Sequence, residues 1–312
     1  MTTAFVFPGQ GSQAIGMGQS LKAAYPEAAA VFAEVDEALG QDLSKTMFEG
    51  PIETLTLTEN AQPALMAVSI AALRVLEAKT GKSLADMASH VAGHSLGEYA
   101  ALCAAGVINL TDTARLLKLR GQAMQRAVPV GEGAMAAIIG PEISVVQEIA
   151  NLASEGEVCS VANDNAPGQV VISGAKAAID RALIIAKEKG AKRALPLPVS
   201  APFHCALMQP AADEMAAALA ATTFNAPSVP VITNVTASAV SDSDQLKTLL
   251  VEQVTGVVRW NESVAAMSGM GISNAVEIGA GKVLTGLVRR IDKSLTTANI
   301  NDEASLEAYL ES

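Results

Sequence analysis

Gly93-His94-Ser95-Leu96-Gly97 fits G-x-S-x-G, with a short apolar run before it and helical texture after it. In that context the motif is a sharp turn that lifts a serine oxygen clear of a sheet. The flanking glycines allow backbone contacts that a side chain would block. The helix that follows aims its N–H groups and positive dipole end at the same point. The plainer reading is a glycine-rich turn with an incidental serine, but the strand and helix on either side favour a nucleophile. A nucleophilic serine needs a base, and the histidines are His90, His94 and His204. His90 lies in the approach to the strand, and His94 adjoins Ser95, where neighbours project apart. Elimination leaves His204, just after Pro202-Phe203. Cys205 is read as packing, because it too is a neighbour that faces away.

Arg120 is the second chemical signal. At about 100° per residue, Leu110, Leu117, Gly121 and Met124 form one apolar stripe, and Arg115, Lys118 and Arg126 point away from it. Arg120 falls between Leu116 and Met124, on the buried side. A buried guanidinium needs a partner, and a planar carboxylate fits it best. An internal Asp or Glu and a substrate carboxylate are equal candidates. In the second case Arg120 would select an acyl group that carries a free acid.

Two lookalikes fail. Gly9-Gln10-Gly11-Ser12-Gln13-Ala14 fits the dinucleotide fingerprint, but no acidic residue ends a second strand about 20 residues on. That loop is better read as backbone approaching the serine and able to donate an N–H. Gly281-Lys282 lacks the Ser or Thr and the upstream glycine of a phosphate loop. Cys103, Cys159 and Cys205 are far apart and form no C-x-x-C, so no metal site is expected.

The elements that must position these groups read as α/β. A strand over Ala4 to Phe7 leads through a glycine-rich loop to one helix over Leu21 to Leu39, and a second helix covers Pro63 to Leu76. Val91 to Gly93 enters the serine turn, and Thr111 or Asp112 caps a helix that reaches Arg126. From Gly133 to Pro198 the order becomes βαββαβ, a ferredoxin-like unit complete in itself. Strands at Val229 to Thr233 and Ala275 to Ile278 then alternate with helices, which implies a mainly parallel sheet. Residues 1–128 and 199–312 are expected to form an α/β large subdomain, with 129–198 as the inserted small one.

The chain has 312 residues and a net charge of −11, so bulk binding to nucleic acid is disfavoured. No secretory signal and no uncharged apolar run of membrane-spanning length is visible. Few, scattered cysteines suit a reducing, cytoplasmic compartment.

The ordered blocks together resemble a family. They are Phe7-Pro8-Gly9-Gln10-Gly11-Ser12-Gln13, Gly93 to Glu98, Arg120, Asn163 to Val171, Phe203-His204, and Gln253 seven residues before Trp260. The whole chain resembles the malonyl-CoA:acyl carrier protein transacylases of fatty-acid synthesis. The resemblance implies an α/β-hydrolase-like large subdomain and a ferredoxin-like small one. It also implies Ser95 as nucleophile, His204 as base, and the N–H groups of Gln10 and Leu96 as oxyanion hole. Arg120 would grip the malonyl carboxylate, and the Gln253 carbonyl would orient His204. Phe203 matches a malonyl-selective form. The implied substrates are malonyl-CoA and acyl carrier protein. Coenzyme A and phosphopantetheine would enter only as parts of those substrates, with no cofactor, and a monomer is expected. A free-standing polyketide acyltransferase, a serine esterase or thioesterase, and a scaffold that has kept the fold are the rivals. An acidic carrier would need a local positive patch, for which Lys187, Lys189, Lys192, Arg193, Arg289 and Arg290 are candidates.

Overall fold

The computed structural model describes residues 2–311. Its strands are β1 (Thr3–Phe7), β2 (His90–Gly93), β3 (Gly133–Ile139), β4 (Cys159–Ala166) and β5 (Gln169–Ala175). They continue with β6 (Arg193–Pro196), β7 (Val231–Ile232), β8 (Ala239–Val240), β9 (Asn274–Ile278) and β10 (Thr296–Ile300). One sheet has the order β10-β9-β1-β2-β7-β8. All its pairs are parallel except the short β7–β8 pair at one edge. Strand β1 is interior and almost wholly buried, which suits its unbroken apolar run Ala4 to Phe7. Helices cover both faces, so separate apolar clusters lie around Phe5 and Phe7 and around Val6 and Trp260.

The second sheet has the order β4-β5-β3-β6 and is antiparallel throughout. With helices Ile143–Ser154 and Lys176–Glu188 it forms the ferredoxin-like pattern around its own core of Ile138, Ile149, Ile172 and Ile179. Strand β4 is tied to the segment just before Trp260. Val258 donates its N–H to Ala162 O at 2.9 Å, and Asp164 donates to Val258 O at 2.9 Å.

Several elements depart from the sequence expectation. The helix expected over Leu21 to Leu39 is two, Gln19–Ala24 and Pro26–Leu39. Pro26 drives Tyr25 out of helical conformation, to φ −133° and ψ 126°. The helix expected from Pro63 starts earlier and runs Thr58–Thr80, with Pro63 absorbed in its second turn. It is long and apolar enough to cross a membrane by length and composition, but 83% of the relevant window is buried inside the protein. The helix carrying Arg120 spans Leu110–Ala127, and its cap is neither Thr111 nor Asp112. Asn109 caps it, its Oδ1 accepting the N–H of Asp112 at 2.7 Å. The short strands β8 and β10 and the last helix, Glu303–Leu310, had no clear signal in the sequence.

Candidate active site

The site lies at the carboxyl ends of the parallel strands, where open α/β sheets place their ligands. Strand β2 ends in the turn that holds Ser95, and helix Leu96–Ala104 starts directly after it. Ser95 has φ 53° and ψ −114°, a conformation rarely occupied by a residue with a side chain. The glycines make this turn possible. A Cβ on Gly93 would lie 1.9 Å from the backbone of Gly97, and one on Gly97 would lie 2.2 Å from Phe7 O.

His204 arrives from an irregular loop beyond β6 and is also held at positive φ, 58°. Its Nε2 is 2.7 Å from Ser95 Oγ, and its Nδ1 is 2.9 Å from the carbonyl oxygen of Gln253. With Nδ1–H donating to that carbonyl, the Nε2 lone pair faces the serine, as a general base requires. Burial, and then the Arg120 charge, push the His204 pKa down to about 3, while the Gln253 carbonyl opposes the shift. The imidazole is therefore neutral at physiological pH. His90 and His94 stand elsewhere. His90 Nδ1 is 3.0 Å from the hydroxyl of Ser89, and His94 Nε2 is 2.8 Å from Asn165 Oδ1. The Cys205 thiol donates to Pro202 O.

Arg120 is 1% exposed, and among the described residues no carboxylate lies within 4.0 Å of its guanidinium. Its partners are neutral. Nη1 donates to Gln62 Oε1 at 2.8 Å, and Nη2 to Gln253 Oε1 at 2.9 Å and to Ser95 Oγ at 3.3 Å. Nε has no hydrogen-bond partner among the described residues. Of the two partners open from sequence, an internal acid in direct contact is absent among the described residues. A buried cation left like this carries a large desolvation cost, which a carboxylate entering beside Ser95 would offset.

A cleft of about 290 Å³ opens over these groups, lined by Gln10, Ser95, Arg120, Met135, Phe203 and His204 among others. Gln10 follows β1, and Leu96 is the first residue of the helix after the serine. Neither backbone N–H has an acceptor among the described residues. Both are free to face a developing negative oxygen. Of the basic residues proposed for a docking patch, Lys189 pairs with Glu148, Arg289 bonds Thr297, and Arg290 bonds Gln169 and Pro167 O. Lys187, Lys192 and Arg193 are exposed.

Sequence reasoning missed the polar layer beneath the serine. Asn234, just beyond β7, accepts the N–H of Ser95 on Oδ1 at 2.7 Å and donates Nδ2 to Gly93 O at 2.6 Å. Its own N–H donates to Glu98 Oε2 at 3.0 Å. The Gln253 side chain donates Nε2 to Ser95 O at 3.0 Å and to Glu98 Oε2 at 2.8 Å. Glu98 is fully buried, and burial pushes its pKa up to about 7 against the Gln253 and Asn234 hydrogen bonds and the Arg120 charge. The one sequence trace of this layer was Glu98 itself, an acid on a helix face that is otherwise apolar.

A family model described as the acyl transferase domain matches residues 4–309. The malonyl CoA-acyl carrier protein transacylase of Escherichia coli (strain K12) is 50% identical over 308 residues, covering 99% of this chain and 98% of that relative. An acyl-carrier-protein S-malonyltransferase from Bartonella henselae superposes with a TM-score of 0.97 at 54% identity, covering 100% of this chain and 99% of that one. A malonyl-transacylase solved in complex with a type II PKS acyl-carrier protein superposes with a TM-score of 0.96 at 46% identity, covering 100% and 99%.

Proposed function

The chain belongs to the acyl transferase domain family, within it to the malonyl CoA-acyl carrier protein transacylases, and from that premise we propose a ping-pong transfer through a malonyl-serine. Ser95 Oγ attacks the thioester carbonyl of malonyl-CoA while His204 Nε2 takes its proton. The oxyanion forms against the N–H groups of Gln10 and Leu96. Loss of one such donor typically raises a barrier by about 3–4 kcal/mol. His204 returns the proton to the departing coenzyme A thiolate, and malonyl-Ser95 remains. The phosphopantetheine thiol of acyl carrier protein then gives its proton to His204 and attacks the ester, and Ser95 leaves with that proton. The bond broken and the bond formed are close in energy, so the transfer is reversible.

Each neighbour has a role in this reading. The Gln253 carbonyl fixes the tautomer and orientation of His204, the task an acid performs in a Ser-His-Asp triad. Arg120 pairs with the malonyl carboxylate and fixes the acyl chain beside Ser95. Phe203 closes one wall of the acyl pocket. Residues 129–198, taken as the inserted subdomain, supply β3 and β4 on the other wall of the cleft. Three buried cysteines without a disulfide fit a cytoplasmic enzyme.

The observation that carries the proposal is Arg120, a buried guanidinium in direct contact with no carboxylate among the described residues, 3.3 Å from Ser95 Oγ. A hydrolase of neutral esters has no use for that charge. Intact mass after mixing with malonyl-CoA, without carrier protein, is the test. A gain of one malonyl group that Ser95→Ala abolishes is the expected result. Steady coenzyme A release without an adduct would mean a hydrolase, and neither adduct nor release would remove this chemistry. The likeness to a transacylase bound to a type II PKS carrier supports a second acceptor, a polyketide carrier. Transfer rates to the two kinds of carrier decide between them.

A further inference from the structure

The Glu98 carboxyl group lies beneath Ser95 and bonds to neither the Ser95 hydroxyl nor the His204 ring. Oε2 accepts from Gln253 Nε2 at 2.8 Å and from the Asn234 N–H at 3.0 Å. Oε1 is buried with no hydrogen-bond partner among the described residues. The opposite end of the same Gln253 carboxamide, Oε1, accepts from Arg120 Nη2 at 2.9 Å. One neutral amide therefore joins a buried acid to a buried cation, and its orientation is set by both ends. If the amide were reversed, NH₂ would face the guanidinium and a carbonyl oxygen would face the acid.

We propose that Glu98 is a positioning residue for carboxylate recognition. It holds Gln253, and through Gln253 Arg120, and it gives up its negative charge for a proton when the acyl carboxylate docks on Arg120. This rests on the malonyl-serine reading above.

The balance is simple. In the unloaded site the Arg120 cation interacts with Tyr99 and with Glu98, and when Glu98 is ionised its charge offsets the guanidinium at a distance. When a second carboxylate arrives at the guanidinium, the buried cluster would hold two negative charges against one positive. Protonation of Glu98 restores a single buried pair. The other groups facing Glu98 do not supply this proton. Tyr99 is pushed up to about 12 and His204 down to about 3, first of all by burial in both cases, and Asn234 and Gln253 are neutral amides. His94 is held below its ordinary value by burial.

The sign is fixed. Burial has already brought Glu98 to about 7, with the Gln253 and Asn234 hydrogen bonds and then the Arg120 charge holding it down. A docked carboxylate offsets the Arg120 part of that pull and brings a second negative charge nearby, so the pKa of the loaded form is higher. At acidic pH Glu98 is protonated in both forms and nothing is taken up. Uptake grows with pH and peaks, below one proton per ester, between the two pKa values.

The experiment is malonyl-CoA loading of the whole enzyme in weakly buffered solution with a pH indicator, across about pH 5.5 to 8.5. Esters are counted by intact mass in the same samples, and the proton of the released coenzyme A thiol is subtracted. Net uptake that is near zero at the acid end, rises through neutrality and vanishes in Glu98→Gln is the expected result. That variant keeps an acceptor for Gln253 and Asn234 but cannot titrate. Ester formed without uptake at any pH in the native enzyme overturns the proposal, whether or not the variant folds. Uptake that persists in a folded Glu98→Gln overturns it too, and assigns the proton elsewhere. Absence of ester instead overturns the malonyl-serine reading, so the two failures are distinct.

Discussion

Ser95 and His204 end 2.7 Å apart, but two unlike stretches of chain deliver them. The serine comes from a turn locked between β2 and a helix, where backbones touch so closely that neither flanking glycine can carry a Cβ. The histidine comes from a loop after the small sheet, with no regular element on either side of it until Ala206. Both residues are held at positive φ, 53° and 58°. In the turn, steric fit and the Asn234 side chain enforce the conformation. In the loop, burial and the two ring-nitrogen contacts, Nδ1 with Gln253 O and Nε2 with Ser95 Oγ, hold the histidine in place. Strained backbone can thus be maintained by close packing or by a few contacts of a buried side chain. The second device leaves far less trace in local sequence.

The largest effect expected is on the loop side. Asn tolerates positive φ better than most residues, so His204→Asn should leave the loop in place and remove only the base. Malonyl-ester formation, followed by rapid-quench mass measurement, should slow by about 10⁴-fold or more. The native enzyme adds a check. Because burial holds His204 near 3, the base stays neutral as pH falls from 7 to 5, and no rate loss with an ordinary histidine midpoint should appear. A clear acid limb near 6.5 that disappears in His204→Asn would show that the loop is more open to water than its burial indicates.

The contrast also explains what was legible. Ser95 is visible because its constraint is contiguous: two glycines, a strand and a helix within a few residues. Arg120 is visible because helical phase alone sets it on the apolar side. His204 emerged only because so few histidines compete. The role of the Gln253 carbonyl came from family resemblance, since a backbone acceptor has no residue signature. Asn234, Gln62 and the Gln253 side chain stayed hidden because they bond to groups 139, 58 and 133 positions away. Strand β10 stayed hidden as well, because Thr296-Thr297-Ala298-Asn299 offers little apolar pattern at a sheet edge.

Arg120 belongs to neither side and bridges both, touching Ser95 and Gln253. Its removal sharpens the comparison by separating recognition from chemistry. Each charge-assisted hydrogen bond to a buried carboxylate is worth about 1.5–3 kcal/mol. Arg120→Ala should therefore lower kcat/KM for malonyl-CoA by roughly 10²–10³-fold. Acetyl-CoA, which has no carboxylate to lose, should be affected far less. Equal losses for the two substrates, measured side by side, would make Arg120 a structural prop for Ser95 and Gln253.

The smallest effect is on the turn side and tests whether packing alone suffices there. Asn234 accepts from the Ser95 N–H and donates to Gly93 O, so it clamps the backbone on both sides of His94. Asn234→Ala leaves both groups buried and unpaired, at about 1–3 kcal/mol each before water or relaxation intervenes. If the glycine packing holds the turn by itself, urea denaturation should show that loss of stability while acylation falls by less than about tenfold. If the turn relaxes toward ordinary φ instead, the serine oxygen leaves His204 and acylation falls as far as in His204→Asn. The turn would then depend on a distant polar clamp just as the loop depends on Gln253. The difference between the two regions would lie only in how visible the clamp is in the sequence.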